Sequence, residues 1–155
     1  MNTNPLLQTW ETPYGLPPFD KIKPEHYAPA FEQVMAEHRA DVEAIAANRE
    51  APSFENTVAA LDRSGQGFSR VAGVFFNLTA SETSEALQAV ERDMMPKIAA
   101  HQRWLSLHEG VFKRVDALYQ KRAPLGLNPE QLRLLEPVPL AYVMQGAKVE
   151  GDTRK

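Results

Sequence analysis

The four histidines are the residues of this chain that could best bind a metal or transfer a proton. A zinc-binding helix of the peptidase type carries two histidines four residues apart, with a glutamate directly after the first. His108-Glu109 begins such a string, but Phe112 stands where the second histidine is required. We therefore interpret the histidines as surface or interhelical hydrogen-bonding groups, and the sequence predicts no metal ligand and no catalytic residue. They are His26, His38, His101 and His108.

One glycine-rich string, Ser64-Gly65-Gln66-Gly67, could be mistaken for a catalytic or phosphate-binding loop. A nucleophilic serine needs a strained turn and a base beside it, and a phosphate-binding loop follows a strand. Helical spacing precedes this string, so we interpret it as a junction between helices. The many carboxylates are interpreted as solvated helix faces, because a catalytic pair must converge in a pocket.

The composition narrows the class of protein. Seventeen Lys and Arg against twenty Asp and Glu give a net charge of −3 over 155 residues, which argues against a nucleic-acid partner. Cysteine is absent, which excludes disulfides and thiol catalysis. The first residues lack a basic, apolar leader and no run approaches a membrane span. We expect a cytoplasmic protein without a membrane partner.

The apolar spacing predicts an all-α, bundle-like domain of several helices, preceded by an extended proline-rich arm. The arm is predicted over 1–23, where four prolines disfavour helix, and its apolar residues should pack on the domain. The helical domain should cover 24–146, and the polar tail 147–155 should fray. Pro137 and Pro139 should interrupt the last helix. The predicted helices cover about 24–48, 53–64, 66–78, 81–105, 109–122 and 129–135.

Aromatic residues at helical spacing have two possible roles. Core packing is the ordinary one, and a partner surface is the alternative. If the chain is one part of a larger helical protein, an apolar face on the fifth helix and after Pro124 should lack its cover, and the chain could self-associate through it. The aromatic group comprises Phe68, Phe75, Phe76, Phe112 and Tyr119.

Five segments, in order from Asn4 to about Lys148, resemble the N-terminal region of the M3 family, the thimet-type zinc oligopeptidases. The last two of them lean toward its peptidyl-dipeptidase (dipeptidyl carboxypeptidase) branch. The segments are Asn4-Pro5-Leu6-Leu7, 16–27 followed by 29–31, Phe54-Glu55-Asn56-Thr57 continuing to Gly65, Val74-Phe75-Phe76-Asn77 continuing to Ala80, and Arg114-Val115-Asp116-Ala117-Leu118-Tyr119.

The resemblance implies a part of an enzyme. Family members are longer chains with two mostly helical halves around a deep channel, and their zinc site lies beyond the matched region. The chain would then hold no cofactor itself, while the parent enzyme uses zinc and releases C-terminal dipeptides from short peptides. Its partner would be the C-terminal catalytic region, and its own substrate-binding residues are unknown. The alternative is a stand-alone helical interaction module without catalysis.

Overall fold

The computed structural model describes residues 4–123 and 125–144, without the side chains of residues 140, 141, 143 and 144. Every regular element in these ranges is helical and none is a strand, which confirms the all-α prediction. Short 3₁₀ turns lie at Pro13–Gly15 and Pro24–His26, and a π-helical turn at Phe54–Ala59 leads into α2. The helices are α1 (Tyr27–Ala47), α2 (Ala60–Ser64), α3 (Gln66–Ser81), α4 (Glu85–Ser106), α5 (Glu109–Gln120), α6 (Pro129–Leu135) and α7 (Pro137–Met144).

The described chain divides into two compact units. The first unit comprises residues 4–39 and 65–99, and the second comprises 40–64, 100–123 and 125–144. Each unit has its own cluster of buried apolar side chains. The predicted division into an arm over 1–23, a domain over 24–146 and a tail over 147–155 stays a prediction, and that tail lies outside the described residues.

The core of the first unit is built around aromatic rings. Phe75 of α3 contacts Tyr27 and Phe31 of α1, at ring-centroid distances of 4.9 and 5.4 Å. The Phe31 and Phe75 rings are perpendicular, an arrangement that places the positive ring edge against the negative face. Other fully buried members of this core are Leu6, Ala30, Val71 and Met94.

The N-terminal segment is fixed to this first unit by burial and by hydrogen bonds. Leu6 is fully buried in the core. The Asn4 side-chain amide donates to the His26 carbonyl over 2.7 Å, and the Trp10 indole donates to the Pro5 carbonyl over 2.9 Å. The segment between Asn4 and Trp10 therefore contributes apolar and polar contacts of its own.

The core of the second unit lies along one face of α5. Val111, Val115 and Leu118 are fully buried there, at the three- and four-residue spacing of a helix face. They pack in one cluster with Val42 of α1 and Leu135 of α6. We expected an uncovered apolar face on the fifth helix and after Pro124. These three side chains of the fifth helix are covered within this unit, whereas Leu125 and Leu134, after Pro124, are exposed.

One glycine and two prolines lie where one helix gives way to the next. Gly65 has right-handed backbone angles, with φ −83° and ψ −6°, because α3 begins at the next residue. Pro137 and Pro139 do end α6, yet both lie in the first turn of α7. A first turn tolerates prolines because its backbone N–H groups have no partner within the helix.

Candidate functional site

His108 combines a helix-capping hydrogen bond with a carboxylate contact and an aromatic contact. Its Nδ1 accepts a hydrogen bond from the Val111 backbone N–H over 3.3 Å, so it caps the start of α5. A neutral ring that accepts at Nδ1 carries its proton on Nε2, and Nε2 lies 3.4 Å from the Glu43 carboxylate. Trp104 packs edge-on against the ring at 5.0 Å. His108 thus caps α5 through Nδ1 and lies beside Glu43 of α1 through Nε2.

A shallow, open groove of about 590 Å³ runs past this histidine. Glu43, Arg103 and Glu109 supply charged groups, while Trp104 and Leu107 supply apolar surface. The groove can offer polar and aromatic contacts to a ligand. No serine or threonine is among the described residues that line the groove.

The other histidines lie at separate places in the fold. The His26 Nδ1 accepts from the Lys23 backbone N–H over 3.0 Å. His38 is buried beside Gly65, and His101 is fully buried and stacked on Trp104 at 6.2 Å. Within residues 4–123 and 125–144, no three side chains of the metal-binding types come together.

The glycine-rich string lies at the junction of α2 and α3. The Ser64 hydroxyl donates to the Leu61 carbonyl over 2.7 Å, within its own helical turn. A hydroxyl used in this way is a helix-end group and not an activated nucleophile.

None of the described helices has the length and apolar character that a membrane span requires.

Asn56 is a polar hub that the sequence did not single out. Its side-chain oxygen accepts from the Ser53 backbone N–H over 2.8 Å, from the Thr57 hydroxyl over 2.9 Å and from the Arg114 guanidinium over 2.9 Å. Its amide nitrogen donates to the Ala51 carbonyl over 3.0 Å. One side chain therefore fixes the turn that opens the π-helical segment.

Arg114 completes this hub from α5. It is buried, and one guanidinium nitrogen also donates to the carbonyls of Asn48 and Glu50 over 2.6 and 3.1 Å. A signal in the sequence could have revealed it, because Arg114 is three residues after Val111 and four before Leu118, on the apolar face. Two of the segments that carry the family resemblance thus meet through the Arg114–Asn56 contact.

The chain is 42% identical over 154 residues to dipeptidyl carboxypeptidase of Salmonella typhimurium, which is 99% of this chain and 23% of that protein. It is 40% identical over 146 residues to dipeptidyl carboxypeptidase of Escherichia coli, covering 94% of this chain and 21% of that protein. The chain is related to the N-terminal part of these peptidases. The resemblance indicated by the sequence segments is therefore confirmed.

Oligopeptidase A of Salmonella typhimurium is a further peptidase relative, 33% identical over 110 residues, which is 71% of this chain and 16% of that protein. No protein-family model matches the chain. The chain spans less than a quarter of the length of the curated relatives it matches. The prediction that it contains no catalytic residue and no metal ligand is not tested by these similarities.

Proposed function

We propose that this chain forms the N-terminal helical region of a cytoplasmic zinc metallopeptidase of the M3 family that releases C-terminal dipeptides from short peptides. The observation that carries the proposal is the 42% identity over 99% of this chain and 23% of the Salmonella dipeptidyl carboxypeptidase. A relationship of that extent supports a shared place in a longer peptidase chain. The activity would belong to the assembled protein.

Zinc would be bound by the rest of that longer protein. A catalytic zinc site takes three protein ligands, and the described residues do not bring three suitable side chains together. They therefore do not fit zinc, and no chemical step is assigned to them. The downstream region would supply an H-E-x-x-H helix and a further glutamate.

The contribution of this region would be a wall of the substrate channel. Its two units each contain fully buried apolar side chains, and close-packed cores of this kind deform little. A rigid wall excludes folded proteins by size and admits extended peptides. Substrate selection by size needs no catalytic side chain in the wall, which fits the structural roles of His108 and Arg114.

The test is a chimera in which this chain replaces the matching 154 residues of the Salmonella dipeptidyl carboxypeptidase. We expect the chimera to release a dipeptide from a blocked tetrapeptide. The intact Salmonella protein is the reference for this activity. The control is the same enzyme with the region deleted, which should be inactive. A folded chimera that does not cleave the peptide would contradict the proposal and favour the stand-alone interaction module.

A further inference from the structure

The segment between Thr12 and Phe19 carries an unusual concentration of exposed apolar surface. Tyr14 is 98% exposed, Leu16 56% and Phe19 49%. In the described part of the chain, only three other large apolar residues are exposed, and they are Met95, Leu125 and Leu134. Clustered exposed apolar groups mark interaction sites more often than single ones do.

This segment has a defined, hydrogen-bonded shape. The Gly15 N–H donates to the Thr12 carbonyl over 3.0 Å, and the Thr12 hydroxyl donates to the Leu16 carbonyl. The Phe19 N–H donates to the Pro17 carbonyl over 2.8 Å. The apolar side chains are thus presented by a built turn, which lowers the entropy that a partner must remove on binding.

Tyr14 lies at the tip of the turn in an unfavourable backbone conformation. Its φ is +62° and its ψ +13°, and it is the one non-glycine residue with a positive φ among the described residues. Left-handed backbone is costly for a residue with a bulky side chain. At 98% exposure the Tyr14 side chain gains almost no compensating contact from the described residues, so the strain points to a contact made elsewhere.

The turn is held at both ends by the first unit. Leu6 precedes it and is fully buried, and Ile22 follows it and packs against the same core. The Arg70 guanidinium lies 5.2 Å from the centre of the Trp10 ring, which adds a cation–π contact before the turn. The exposed aromatic residue is therefore displayed by the fold and is not part of a free tail.

We propose that the turn 12–19, with Tyr14 as its anchor, is the docking site for the remainder of the parent peptidase chain. This inference rests on the proposed function. The relatives extend over more than four times the length that this chain matches, so most of the parent chain lies outside it. A covalently connected partner acts at high effective concentration, and tyrosine is among the preferred anchors of buried interfaces.

The test compares nitration of tyrosines by tetranitromethane in the isolated chain and in the chimera, read by mass spectrometry. Tyr14 should react readily in the isolated chain and about tenfold more slowly in the chimera, because interface anchors are shielded from water. Tyr27, which is 1% exposed, is the internal control and should react slowly in both. An active chimera in which Tyr14 reacts as fast as in the isolated chain overturns the docking site and leaves the proposed function standing.

A substitution gives an independent measure. Asn tolerates left-handed backbone, so the isolated chain with Tyr14→Asn should be at least as stable as the unsubstituted chain. In the chimera it should lower the midpoint of thermal unfolding of the joined regions. The matched control is Met95→Gln, a helix-compatible change at a residue that is 42% exposed. Equal effects of the two variants in the chimera overturn the inference.

Two other occupants are outcomes of the same labelling. Protection of Tyr14 in the isolated chain that grows with its concentration would identify a second copy. Protection in the chimera that appears only with a blocked tetrapeptide would identify substrate. Either result overturns docking of the parent chain at this turn.

Discussion

The Arg114 guanidinium donates to the side-chain oxygen of Asn56 over 2.9 Å, although the two residues are 58 positions apart. The same guanidinium reaches the carbonyls of Asn48 and Glu50. One buried cation on α5 therefore donates to two carbonyls of the loop after α1 and to one side chain of the π-helical turn. Arg114 is itself buried, and hydrogen bonds that involve a charged group contribute more than neutral ones do.

Arg114→Ala should lower the free energy of unfolding by about 2–3 kcal/mol, because three hydrogen bonds to a charged group are lost. Urea unfolding followed by far-ultraviolet circular dichroism measures the change. The control is Lys113→Ala, an exposed neighbour on the same helix. A loss no larger than that of Lys113→Ala would contradict the role assigned to Arg114.

Asn56→Ala should also destabilise the protein, and the Arg114→Ala, Asn56→Ala double variant should lose less than the sum of the two single losses. Residues that share a hydrogen bond are not additive. The double-mutant cycle is measured by the same urea unfolding. Strict additivity would show that the 2.9 Å contact contributes nothing of its own.

Gly110→Ala and Gly73→Ala should change the stability of the protein in opposite directions. A Cβ at Gly110 would lie 2.9 Å from the Ala46 Cβ, whereas one at Gly73 meets nothing within 4 Å. Overpacking costs about 1–3 kcal/mol, and alanine gains about 0.5–1 kcal/mol over glycine inside a helix. Gly110→Ala should therefore lower the thermal midpoint and Gly73→Ala should raise it.

A compensating change tests the cause of the Gly110 effect. Ala46→Gly alone should destabilise α1, but combined with Gly110→Ala it should restore part of the loss because the two methyl groups no longer collide. The quantity to compare is the coupling between the two substitutions in chemical unfolding. A coupling of zero would assign the loss to something other than this contact.

The protein should lose stability in alkaline solution through its buried phenols. Burial raises the pKa of Tyr27 to about 12 from an ordinary value of about 10. The neutral phenol is thus favoured in the folded chain. Its contribution to stability is fully present below about pH 10 and is lost as the pH rises through about 12. Burial raises the pKa of Tyr142 to about 12 as well.

Tyr27→Phe isolates this effect, because the Tyr27 hydroxyl is buried without a hydrogen-bond partner among the described residues. At neutral pH the variant should be as stable as the unsubstituted protein or slightly more stable. Between pH 10 and 12 it should lose less stability than the parent. Tyr14→Phe, at an exposed position, is the control, and identical alkaline curves for Tyr27→Phe and the parent would contradict the prediction.

Leu6→Ala should destabilise the isolated chain by about 2–5 kcal/mol, the cost of removing a buried leucine side chain and leaving a cavity. Leu16→Ala, at an exposed position of the same N-terminal segment, should change stability by no more than about 0.5 kcal/mol. Thermal unfolding compares the two variants directly. Equal effects would mean that Leu6 is not part of the core of the first unit.

The local sequence predicted α1 to α6 and several of their ends, but not α7. Ser53 caps the π-helical turn by accepting from the Asn56 backbone N–H, and Asn128 caps α6 with Pro129 as its first residue. Caps depend on residues within three positions of each other, so a single sequence carries their signal. The relationship to peptidases could also be predicted from the sequence, because it rests on short segments in a fixed order along the chain.

Contacts between distant positions were decided only by the tertiary structure. The sequence predicted an uncovered apolar face on the fifth helix and after Pro124. Packing buries Val111, Val115 and Leu118 of that helix, whereas Leu125 and Leu134, after Pro124, are exposed. The Arg114–Asn56 contact joins residues 58 positions apart. A helix pattern identifies which residues share a face, but the element that covers that face depends on the path of the whole chain, because burial is a property of packed neighbours and not of spacing.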